Sequence, residues 1–203
     1  RQALDSGILS NATTIREQIN NSTKRFEYNF TPDLQSFAGE DFLELLEQSY
    51  REVGLEETII LTRTNRRTNL YNQGVRARIL WKEDEISSGD RLMISKNNYF
   101  WTKDYEGIPF LANGDMMEIG RLRNRREMYG YQFVDASLRS VDYNWEIDVI
   151  LWLDTLTTDS PEINQQLHRT LFNRISEDYP ELQHNRKKLV EAIYDSPYYN
   201  ALQ

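Results

Sequence analysis

Apolar residues recur at three- and four-residue steps over 3–21 (Leu4, Ile8, Leu9, Ala12, Ile15, Ile19), which places them on one face of a helix or a broken pair of helices. Over 25–30 the period changes to two, with Phe26, Tyr28 and Phe30 alternating with polar residues, and this predicts a half-buried strand ended by Thr31-Pro32-Asp33. Helical spacing returns over 39–53 through Phe42, Leu45, Leu46 and Val53. The continuous run Thr58-Ile59-Ile60-Leu61-Thr62 predicts a parallel strand buried on both faces, with a helix over about 68–80 after it.

Between 89 and 155 the texture becomes short and alternating, at 92–94, 116–122, 131–141 and 145–153. Turn signals at Asn113-Gly114-Asp115 and Met128-Tyr129-Gly130 separate these stretches, and the pattern predicts a small antiparallel barrel. Asp159-Ser160-Pro161-Glu162 then opens helical spacing, with helices expected over 161–177 and 180–195. The fold class expected from this order is α+β.

With 203 residues and 39% hydrophobic content the chain can bury a core, so one or two small domains are expected. The net charge of −8 argues against coating nucleic acid through overall charge, so any such contact must be local. The absence of cysteine excludes disulfides, thiolate metal sites and a Cys nucleophile, and fits a reducing cytoplasm. His168 and His184 are too few for a His-based centre, so no metal site is expected. No apolar run of about 18 residues is present, which speaks against a membrane partner. The first residues lack signal-peptide character, and the missing initiating Met suggests a piece of a longer protein.

No phosphate-binding loop, nucleophile elbow or His-Glu-x-x-His pair occurs. The carboxylates of Glu56-Glu57, Glu83-Asp84-Glu85 and Glu177-Asp178 stand in polar contexts and read as solvated surface. Four segments are more specific. Arg63-Thr64-Asn65, with Arg66 and Arg67, follows the apolar run at 58–62, where open α/β sheets bind ligands; the Arg suits phosphate, while Thr64 or Asn65 equally suits capping a helix. Gly89-Asp90 and Asn113-Gly114 suit positive-φ turns, and Met93 is expected in the core. Lys96, Asn97, Asn98 and Tyr99, followed by Phe100 and Trp101, interleave donors with aromatics, which suits single-strand contact or the filling of a core. Arg121, Arg123, Arg125 and Arg126 suit a phosphate-contacting hairpin or a solvated strand face, the latter preferred.

Arg63-Thr64-Asn65 resembles the Arg-Thr-Asn type motif of the second RecA-like lobe in superfamily 1 helicases. The ordered series Gly89-Asp90-Arg91-Leu92-Met93, Lys96-Asn97-Asn98-Tyr99 and Asn113-Gly114-Asp115 resembles that of RecD-like helicases, where it lies in an SH3-like barrel inserted into that lobe. Arg1-Gln2-Ala3, Ser6-Gly7-Ile8 and Asn11-Ala12 resemble the segment that opens the lobe. The likeness covers most of residues 1–150, and 155–195 looks like a helical insertion.

This resemblance implies a partial RecA-like second motor lobe at 1–85, an SH3-like barrel at 86–154 and a helical return at 155–203. It implies a cytoplasmic parent DNA helicase, moving 5′ to 3′ in repair or recombination and using ATP and Mg2+, with no cofactor held by this segment alone. Arg1 would reach the γ-phosphate of ATP bound on a missing first lobe. Arg63, Thr64, Asn65, Arg66, Lys96, Asn97, Asn98 and Tyr99 would contact single-stranded DNA. Two rival expectations are an SH3-like protein-interaction module and a subunit of an exodeoxyribonuclease V-like helicase-nuclease complex.

Overall fold

The computed structural model describes residues 6–22, 26–156, 158 and 161–202, with the backbone alone at 161–163. It contains mixed helix and strand in two compact units, Arg1–Ile60 and Leu61–Gln203.

In the first unit α1 (Gly7–Asn20) begins at Ser6, whose hydroxyl accepts from the Leu9 N–H at 3.4 Å. Asp33 completes this cap: its carboxylate accepts from the N–H groups of Gly7 at 3.2 Å and Ile8 at 3.4 Å, and from the hydroxyls of Ser6 at 2.9 Å and Thr31 at 2.6 Å. A Cβ at Gly7 would overlap the Thr31 hydroxyl, so the bare glycine lets this turn close on the helix. The buried Asn11 donates to the carbonyls of Gly7 (2.7 Å) and Asn29 (2.8 Å), and its oxygen accepts from Asn29 N–H at 2.9 Å. Helix α2 (Phe42–Glu52) follows a 3-10 turn at Gly39–Asp41 and buries Leu46.

Thr31 and Ser6, then the Ile8 N–H, pull the Asp33 carboxyl from the ordinary 3.8 down to about 2. A depressed carboxylate stabilises fully above its unfolded value and loses that contribution as pH falls through the folded one. The Gly7 and Ile8 amide resonances are therefore expected to titrate near pH 2, and Asp33→Asn to abolish that titration. A midpoint near the unperturbed carboxylate value would mean Asp33 does not cap α1.

Two expected strands are absent. Residues 26–30 form no ladder, and Phe26, Tyr28 and Phe30 are exposed. Alternating aromatics make a strand only against a neighbour, and here the Asn11 side chain takes the backbone groups of Asn29 instead. The run at 58–62 is also no strand: Ile59 is 81% and Leu61 85% exposed. A two-face-buried strand needs neighbours on both edges and cover on both faces, and among the described residues no strand pairs with it.

In the second unit α3 (Asn65–Arg78) precedes an antiparallel sheet of four strands in the order β1 (Arg91–Met93), β2 (Met116–Met128), β3 (Tyr131–Ser140), β4 (Glu146–Trp152). The β2–β3 hairpin turns on Tyr129 and Gly130, both left-handed at φ 55° and 66°, as a two-residue type I′ turn requires. Register shifts between Ile119 and Leu122 and between Arg123 and Arg126 put two irregularities into β2, which add local twist and curl the sheet into a half-barrel. At the first, Ser137 Oγ accepts from the Arg121 N–H at 2.9 Å, and a Cβ on Gly120 would stand 2.7 Å from that oxygen.

The pleat divides the apolar residues between two cores. Met117, Ile119, Val134, Ala136, Leu138, Ile147, Val149 and Leu151 point into the concave side with Ile94, Leu111 and Leu202. Phe133, Ile150 and Trp152 lie in the other core, under Leu171 and Ile175 of α4 (Pro161–Ser176) and Leu189 and Ile193 of α5 (Arg186–Tyr194). Burial along β4 therefore alternates at its start and becomes continuous where the helices cover it. At the uncovered end Arg91, Glu118, Arg139 and Glu146 stand in register across all four strands, with Arg139 to Glu118 at 2.6 Å.

Two details depart from expectation. Met93 is 61% exposed, because the pleat turns Leu92 and Ile94 toward the concave core instead. The last helix starts at Arg186 rather than near 180, since Pro180–Leu182 closes as a 3-10 turn and Asn185 Oδ1 caps α5 by accepting from Lys188 N–H at 3.2 Å. No described helix is long and apolar enough to cross a membrane.

Candidate nucleic-acid interface

Thr64 caps α3. Its backbone is extended (φ −137°, ψ 146°) and its hydroxyl accepts from the Arg67 N–H at 3.3 Å. Thr62 and Thr68 join hydroxyls at 2.6 Å, one donating to the other, and the hydroxyl that accepts donates in turn to the Thr64 carbonyl at 3.3 Å, so three threonines fix the entry to the helix. This turn holds Arg63, Asn65, Arg66 and Arg67 exposed at the N-terminal end of α3. Among the described residues none of these three arginines forms an ion pair, although a helix N-terminus disfavours cations.

The far end of α3 is clamped to the sheet by Asp90. Its buried carboxylate binds the Arg76 guanidinium, Lys82 Nζ at 2.7 Å and the Ser87 N–H at 2.7 Å, while Arg76 also donates to the Asp84 carbonyl. The Asp90 carbonyl accepts from Ile119 N–H at 2.8 Å and the Gly89 N–H donates to Ile119 carbonyl at 2.7 Å. The Gly-Asp pair, expected to serve a turn, thus also fixes the arginine-bearing helix to the half-barrel.

The Lys96–Tyr99 group divides. Asn98 ties its loop to the C-terminal segment: Oδ1 accepts from the N–H groups of Phe100 (3.0 Å) and Trp101 (3.3 Å), and Nδ2 donates to the Asn200 carbonyl at 3.1 Å. Asn97 Oδ1 accepts from the Asn113 N–H at 2.8 Å. Lys96 Nζ lies 3.2 Å from His168 Nε2, and burial lowers its pKa below the usual lysine value. Tyr99 stays 60% exposed and stacks on Phe110 with centroids 5.0 Å apart. Trp101 is partly buried between both cores and donates through Nε1 to the Asn200 carbonyl at 2.8 Å. In Asn113-Gly114-Asp115, Asp115 Oδ2 accepts from Ala112 N–H at 2.8 Å and Gly114 takes φ 99°.

The arginine run on β2 is mostly paired: Arg123 to Asp148 at 3.9 Å, Arg125 to Glu85 at 2.9 Å and Arg126 to Asp135 at 2.8 Å. Burial works to raise the Asp135 pKa, but bonds from Arg126 and Asn124 outweigh it and hold the carboxyl low. A shallow, open depression of about 320 Å³ lies beside these pairs, lined by Trp101, Ile150 and Pro197 among others. Its rim charges are already engaged with one another, so it offers no free acid and base.

Arg1 lies outside the described residues. Among the described residues no group of three or more acidic or His side chains converges to hold a metal ion. Arg78 and Trp81, both exposed, belong to none of the motifs read from the sequence. The signal was available as a charge run, since residues 63–82 contain six cations and no carboxylate in a chain of net charge −8. Compared with known proteins, the chain matches no family model and no curated protein.

Proposed function

We propose that this chain is part of the second motor lobe of an ATP-dependent, RecD-like superfamily 1 DNA helicase and that it grips single-stranded DNA at the N-terminal end of α3. The observation that carries this reading is the set of exposed arginines Arg63, Arg66 and Arg67, without an ion pair among the described residues, on a threonine-fixed turn at the head of a helix that Asp90 ties to the curled sheet. Guanidinium groups on a rigid turn bind phosphates without reading sequence, as a translocating motor requires. In this reading the half-barrel is the inserted SH3-like element, and residues before it belong to a RecA-like unit. ATP and Mg2+ belong to the complete parent, where a first lobe would supply the phosphate loop and Arg1 the reach across the cleft. Movement 5′ to 3′, a cytoplasmic setting and work in repair or recombination are parts of the same proposal; membership of a helicase-nuclease complex is its alternative.

Arg63→Ala is expected to weaken binding of a fluorescein-labelled oligo-dT and to reduce the slope of log affinity against log salt by roughly 0.7. Anisotropy titrations at several salt concentrations measure both. Unchanged affinity and slope would remove Arg63 from the interface.

One observation favours a second reading. The side-chain oxygens of Asn97 and Asn98 are engaged within the fold, while the Tyr99–Phe110 stack remains open, as at a protein contact. Tyr99→Ala that leaves oligo-dT binding intact would remove that stack from the DNA interface, as the second reading expects.

A further inference from the structure

Successive α-helical residues are about 100° apart, which puts Arg66, Leu70, Gln73 and Ala77 on the side of α3 opposite buried Val75, with Arg67 and Arg78 together on one flank between that side and Val75. All six are exposed, and the cations among them form no ion pair with a described residue. These residues span about 18 Å from Arg66 to Arg78 at the helical rise of about 1.5 Å per residue. Just beyond the helix stands Trp81, 81% exposed, with its backbone in the left-handed region at φ 54°. A bulky residue there is strained, and an indole left in water forgoes burial, so the position combines two unfavourable features. The other tryptophans, Trp101, Trp145 and Trp152, are all packed into the cores.

We propose that Trp81 is a base-stacking platform for single-stranded nucleic acid whose phosphates run along the exposed arginines of α3. The inference rests on the single-strand-binding reading above and extends it to the opposite end of the helix. A polyanion is the occupant that the charge selects: residues 63–82 carry six cations and no carboxylate in an acidic chain, and Arg63, Arg66, Arg67 and Arg78 stand outside the cluster in which Asp90 takes up Arg76 and Lys82, although Glu83-Asp84-Glu85 follow directly. An exposed indole at the end of a phosphate-binding track offers a π-face to any base, which suits binding without sequence preference.

The test uses the 203-residue chain with fluorescein-labelled oligo-dT of about 16 nucleotides at low salt, and an abasic oligomer of equal length. Trp81→Ala is expected to weaken oligo-dT binding at least about fivefold, the lower end for loss of one base–aromatic stack, and to leave abasic binding unchanged. Trp81→Phe should keep most of the affinity yet lose the quenching of indole emission that oligo-dT produces in the parent chain. Arg66→Ala and Arg78→Ala should weaken both oligomers. Were Trp81→Ala to bind oligo-dT normally while Arg66→Ala did not, Trp81 would not be a stacking platform, though the single-strand reading would survive. Quenching unchanged in Trp81→Phe would also overturn it. A parent chain that binds neither oligomer would overturn both, and leave Trp81 as a protein-contact residue.

Discussion

Asp90→Ala is expected to destabilise the sheet-containing unit by about 3 kcal/mol, the low end of what breaking a buried ion pair costs. The substitution leaves Arg76, Lys82 and the Ser87 N–H without their shared acceptor in a part-buried setting, where unpaired polar groups are expensive. It should also free α3 from the sheet, so amides between Ile119 and the start of β1 lose hydrogen-exchange protection along with those in the last turn of the helix. Urea unfolding followed by circular dichroism gives the stability change. A midpoint within experimental error of the parent would show that the cluster is solvated and contributes nothing. Asp90→Asn keeps acceptor geometry without the charge and should fall between the two.

Trp152→Ala is expected to cost about 4 kcal/mol, in the range seen when a large buried aromatic is truncated. The Trp152 ring is fully buried and packs on Tyr131 at 5.1 Å, Phe133 at 5.9 Å and the His168 ring at 5.3 Å, so it joins β4 to β3 and α4. Trp152→Phe should cost far less. The indole Nε1 is buried without a hydrogen-bond partner among the described residues, and removing an unsatisfied donor offsets part of the lost volume. Equal losses for the two variants in thermal and urea unfolding would mean that Nε1 is satisfied in solution, for example by water.

The second half of the chain was more legible than the first. Strands β3 and β4 lie close to the expected stretches, and β2 starts where expected but runs on to Met128 instead of ending near 122, because alternation and the Tyr129-Gly130 turn are local signals that neighbouring strands in the same segment satisfy. The runs at 26–30 and 58–62 carried equally clear local signals, yet a strand is defined by its partners, and none of the described residues supplies one. The Met93 misreading has the same root, since a one-residue difference in register exchanges the two faces.

At the candidate interface, Thr64 suits a cap and a DNA contact equally by residue type, and the cap is what forms, with the arginines around it exposed. Asn98 was harder to read, because its bond to Asn200 spans about half the chain and leaves no local trace. Asp90 was recognisable as a turn residue, but its two cations come from α3 and the following loop, a convergence that only the tertiary structure reveals.

The pair α4 and α5 sets a limit on how this protein can be shortened. Trimming away 161–194 would strip the cover from Phe133, Ile150 and Trp152 and leave a greasy plate on one side of an otherwise intact half-barrel. Such a remnant would stick to itself and precipitate even if every strand kept its register, so the helical pair acts as the waterproofing of the sheet.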